Sequence, residues 1–196
     1  MSMRKIAVSL LFLLGSMMAS ADADSQLEGT VYGEDLRAAD AAELRGMIVT
    51  RVLDRYAAER NLDVSDAELT AFGDNLRRGM AADGLTADEG LTPEEMEEVE
   101  AMRRHMGRAM ILQWKVNRSL YQTYGGRIIY QQLGPEPLDA YRQYFEERQA
   151  AGDFSFKSSA AEAQFWDYFR NESRHDFMER GGADESRSFT TPPWET

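Results

Sequence analysis

The chain has 196 residues, with 22 basic and 34 acidic side chains and a formal charge of −12. Such a surface repels the phosphates of nucleic acids and anionic lipids, so neither is expected as a partner. No cysteine is present, which excludes disulfides, thiolate catalysis and cysteine-ligated metals. Hydrophobic content of 43% and charged content of 29% fit a globular chain that can bury a core unaided.

Residues 1–21 read as a secretory signal peptide. Arg4 and Lys5 precede an apolar run from Ile6 to Met18, and Ala19-Ser20-Ala21 supplies small residues ahead of a cleavage point before Asp22. The run is shorter than the roughly 20 apolar residues of a membrane-spanning helix. Export to the periplasm or beyond is expected, with no membrane insertion after cleavage. Residues 22–28 are polar, and the stretch from Gly29 to Leu36 predicts one small strand ending at a glycine turn.

Asp40 predicts the N-cap of a first helix reaching about Arg60, with Leu44, Ile48, Val52 and Tyr56 on its apolar face and Asn61 as a left-handed ending. Ser65-Asp66-Ala67-Glu68 is a capping box, opening a second helix to about Met80 with Leu69, Phe72 and Leu76 inward. Thr92-Pro93-Glu94-Glu95 opens a third. Its stripe of Val99, Met102, Met106, Met110, Trp114, Asn117, Tyr121 and Tyr124 runs to Gly125-Gly126, and Gly107 is a candidate kink. That helix is about 50 Å long at 1.5 Å per residue.

Residues 127–133 fit a strand or a helix, and Gly134-Pro135-Glu136-Pro137 breaks either. A fourth helix is expected from Pro137 to Ala151. A capping box at Ser159 to Glu162 starts a fifth, carrying Phe165, Trp166, Phe169 and Phe177 to Gly181-Gly182. The tail, 183–196, is polar, with Phe189 and Trp194 as candidate anchors. The expected class is mostly α: about five helices in one domain over 22–182, a long central helix, and at most a small N-terminal strand.

The order Val31-Tyr32-Gly33-Glu34, a helix around Leu44 to Leu53, the phrase Asn61-Leu62-Asp63-Val64-Ser65-Asp66-Ala67-Glu68-Leu69, and a long helix after an acidic segment resembles the N-terminal helical domain of SurA-type periplasmic chaperones and peptidyl-prolyl isomerases. The resemblance covers residues 28–125, with 126–182 as a helical extension. It implies a module that holds unfolded clients on apolar surface. The parvulin domain of that family needs a longer, β-rich stretch than residues 125–196 provide, so isomerase activity is not expected.

Met102, Met106 and Met110 admit three readings: thioether ligands for copper(I), a pliable client surface, or an ordinary core face. His105 points about 100° away from that line. The acidic run from Asp88 to Glu100 lacks the spacing of a calcium loop and reads as a solvated face, with Glu100 in reach of Arg103 or Arg104. Tyr124 to Pro137 gathers amides, an arginine and a carboxylate near aromatic rings, which suits either a ligand site or a structural corner. Ser173, His175 and Asp176 cannot form a catalytic chain on one helix, and no nucleotide, zinc-protease or hydrolase motif is present.

The preferred expectation is a non-catalytic peptide-binding groove between Trp114, Asn117, Tyr121 and Tyr124 on one side and Arg127, Gln131, Gln132 and Glu136 on the other. Its partners are unfolded or extended polypeptides, and no cofactor is expected. The alternative is a copper(I) protein using the Met stripe.

Overall fold

A hairpin stands where a single strand was expected. β1 (Gln26–Val31) and β2 (Glu34–Ala38) pair antiparallel across Tyr32-Gly33, both with positive φ, 50° and 81°. Two left-handed residues match the turn to the right-handed twist of paired strands. The structure is a computed structural model that describes residues 26–85, 88–132 and 134–195, so the signal-peptide reading lies outside the described residues.

Local capping sets the helix starts. Asp40 accepts from the N–H groups of Ala42 and Glu43 and opens α1 (Ala41–Glu59), after which Asn61 turns left-handed at φ 53°. Ser65 and Glu68 form the capping box of α2 (Asp66–Ala82), and Thr92 and Glu95 that of α3 (Pro93–Tyr124). Each box satisfies backbone donors that a helix start leaves unpaired. Gly125, at φ 65°, ends α3. α3 is one continuous helix through Gly107. The Phe72 ring lies where a Cβ would stand, 2.8 Å from its Cδ1, so the glycine lets α2 approach α3.

α4 (Leu138–Ala150) is followed by β3 (Phe154–Phe156), which pairs with β1 and completes a three-stranded sheet in the order β2-β1-β3. α5 (Ser159–Arg170) is capped by Ser158, one residue before the expected box. Glu162 instead accepts from Gln149 of α4. α5 also stops at Arg170, well short of Gly181. From there the chain extends so that Tyr130 N–H donates to Asp176 and Met178 N–H donates to Ile128. Ile129 bridges both Glu136 and Phe177, which makes residues 128–130 an extended piece. α6 (Ala183–Arg187) and a 3-10 turn at Pro193–Glu195 give the tail structure that its polarity did not suggest.

Two apolar clusters hold these elements. The larger joins Ile48, Val52 and Tyr56 of α1 to Leu120 of α3, Phe145 of α4, Phe165 of α5 and Phe154 of the sheet. The smaller contains Val64, Leu69, Ile111, Trp114 and Ile128, closed by Phe189 and Trp194 of the tail. The core is therefore mostly helical and built around the long α3.

Candidate functional site

The eight residues expected to line one groove are divided among several places. Trp114 and Tyr121, seven residues apart on α3, face the smaller cluster, where Trp114 packs edge-on against Trp194 at 5.3 Å and Tyr121 against Phe189 at 5.2 Å. Asn117 is buried among polar partners: its amide donates to the Pro135 carbonyl at 2.8 Å and accepts from the Tyr141 hydroxyl. Tyr124 joins the larger cluster and donates to Glu147 at 2.8 Å. Burial and that carboxylate push its hydroxyl up to about 12.

Arg127 forks onto Asp139 and reaches Glu172 at 2.8 Å, which raises the guanidinium and holds the Asp139 carboxyl below its ordinary range. Gln131 donates to the Tyr168 hydroxyl at 2.9 Å, Gln132 is exposed, and the Glu136 carboxyl accepts from Tyr168 at 3.1 Å. Most of the polar set expected to grip a peptide thus ties α3, α4 and α5 together.

A different groove stands out. A pocket of about 240 Å³ lies between α2 and α3, with Phe72, Leu76, Met110, Trp114, Pro135 and Trp194 in its wall. Of the expected residues only Trp114 lines it. Leu76, expected inward, is 37% exposed. One and two turns before Met110, Met106 and Met102 stand 53% and 50% exposed, which is incompatible with the core-face reading of those two. Burial along α3 begins only at Gly107. The i, i+4 spacing was the signal for this surface, but the Leu76 and Trp194 walls come from elements remote in sequence.

Ser173 donates to Asn171, and His175 contacts the Tyr168 carbonyl at 2.6 Å, so the two do not address each other. Among the described residues no group of three or more His, Asp or Glu side chains is placed to hold a metal ion, and no helix is long and apolar enough to cross a membrane. No family model, curated protein or solved structure matches this chain.

Proposed function

We propose that the protein is a non-catalytic periplasmic chaperone or peptide-binding module that holds apolar stretches of unfolded or extended polypeptide in the groove between α2 and α3. The observation that carries this reading is the apolar pocket at Leu76, Met110 and Trp114, with Met106 and Met102 exposed one and two turns before Met110 along α3. Large apolar side chains exposed together, rather than singly, mark binding surfaces on soluble proteins. Unbranched thioether side chains adapt to clients of varied shape, and an aromatic wall adds contact area at low entropic cost. The net charge of −12 keeps a loaded complex soluble. The resemblance to the SurA-type helical domain supports the same reading.

The test is suppression of aggregation of an unfolded outer-membrane-type client without ATP, alongside a proline isomerase assay in which no activity is expected. Leu76→Glu combined with Met106→Glu alters two exposed positions, so the helical circular dichroism should survive while protection drops about tenfold or more. Full protection by that folded double variant would place clients elsewhere. No protection by the wild type would end the reading.

The exposure of Met102 and Met106 also favours a second reading, thioether binding of copper(I). It predicts stoichiometric copper(I) uptake that vanishes when Met102, Met106 and Met110 become Leu, a change that conserves volume. A wild type that takes up no copper(I) excludes it.

A further inference from the structure

A second cavity, of about 210 Å³, lies between α1, the start of α4 and α5, apart from the apolar groove. Arg45, Gly46, Val49, Glu136, Tyr168 and Phe169 are in its wall. Its volume is below the roughly 300–1,000 Å³ of pockets for drug-sized ligands, so it suits a small molecule.

Three features distinguish it from a packing gap. Glu136 keeps some solvent contact as a residue, but its carboxyl is desolvated and has only the Tyr168 hydroxyl as its hydrogen-bond partner among the described residues, with no basic side chain in salt-bridge contact. Burial pushes that carboxyl up to about 7, outweighing the downward pull of the Tyr168 hydrogen bond and of the Arg45 charge across the cavity. Arg45 stacks over the Tyr168 ring at 4.7 Å and forms no ion pair among the described residues. Gly46 lies inside α1, where glycine is a poor helix former, yet it has ordinary helical φ and nothing within 4 Å of the place a Cβ would take. Neither backbone conformation nor close packing requires that glycine, and its missing side chain leaves the α1 wall of the cavity open.

We propose that this cavity binds a small zwitterion of the α-amino-acid class, its ammonium on Glu136 and its carboxylate on Arg45. A plain cation would meet Arg45 unfavourably, and a plain anion would meet Glu136. A molecule carrying both charges compensates both walls and can rest an apolar side chain on Val49 and Phe169. The Tyr168 hydroxyl accepts from Gln131 and donates to Glu136, which aims the carboxyl. Burial holds the Tyr168 hydroxyl, like that of Tyr141, well above its ordinary value, so both stay protonated donors at neutral pH.

Calorimetric titration of the full chain with L-leucine, and then with the other proteinogenic amino acids, tests this at pH 7 in buffers of differing ionisation enthalpy. L-Leucinamide, lacking the carboxylate, and 4-methylpentanoate, lacking the ammonium, are the matched controls. An amino acid should bind about tenfold or more tightly than analogues missing either charge. Binding should release about half a proton as Glu136 ionises. Glu136→Gln should remove that release and weaken binding. Gly46→Leu should block the cavity while leaving the thermal midpoint unchanged or higher. The proposal is overturned if no amino acid binds at millimolar concentration, if the amide binds as well as the acid, or if Gly46→Leu binds like the wild type.

Discussion

Glu136 is ionisable, desolvated and one residue from Pro135, whose carbonyl holds Asn117. Its ordinary value of 4.5 is raised to about 7 in the folded chain. Below about 4.5 it is neutral in both states and contributes nothing to the pH dependence of stability. Between about 4.5 and 7 the unfolded chain ionises first, so folding loses stability as pH rises, by at most about 3 kcal/mol once pH exceeds the folded value. Glutamine keeps an acceptor for Tyr168 without the charge. Urea unfolding should therefore show Glu136→Gln gaining on the wild type as pH goes from about 4 to about 8, by up to about 3 kcal/mol. A constant difference across that range would mean that the carboxyl is hydrated.

At the scale of elements, α3 changes character at Gly107. From Ile111 onward it buries Trp114, Val116, Asn117 and Leu120, whereas no residue from Pro93 to Met106 is buried. The exposed half is held by ion pairs: Arg77 to Glu100 at 3.1 Å, Arg104 to Asp66 at 2.8 Å, and Arg103 to both Glu100 and Asp88. Hydrogen bonds from Arg103 hold Asp88 and Glu100 below their ordinary values. Depressed carboxylates stabilise above their unfolded values, and that contribution disappears as pH falls through about 4 and below. Ion pairs this open to water contribute little each, so their loss loosens this arm without unfolding the molecule. Amide-exchange protection factors, corrected for intrinsic rates, should fall near pH 3 across α2 and the first half of α3. Those of α1 and α4 should persist. Uniform loss over all four helices would contradict this division.

Across the whole molecule, the tail closes the smaller cluster. Trp194 is 5% exposed and Phe189 8%, and both pack against aromatic side chains of α3. The Trp114 indole also donates to the Ser188 carbonyl at 3.3 Å. Trp194→Ala should cost on the order of 3 kcal/mol and shift tryptophan emission to the red as water reaches Trp114. The larger cluster contains neither residue, so most far-UV helicity should remain. An unchanged midpoint in chemical denaturation would show that the tail adds nothing to stability.

What the sequence determined by itself is what short-range chemistry controls. The helix starts at Asp40, Ser65 and Thr92 and the left-handed endings at Asn61 and Gly125 were legible because cap and backbone donors lie within a few residues of each other. The mostly helical class and the 32-residue α3 followed from the same signals. Tertiary structure decided the rest. β3 is a strand because β1, remote in sequence, offers an open edge, and α5 stops at Arg170 because residues 176–178 pair with 128–130. The candidate groove was legible only in part. A 3.6-residue period tells which side chains share a face, as for Met102, Met106 and Met110, but not which distant element covers that face. Trp114 and Tyr121 meet the tail, Asn117 and Tyr124 meet α4, and Met102 and Met106 meet solvent, because coverage depends on long-range packing that no local spacing encodes.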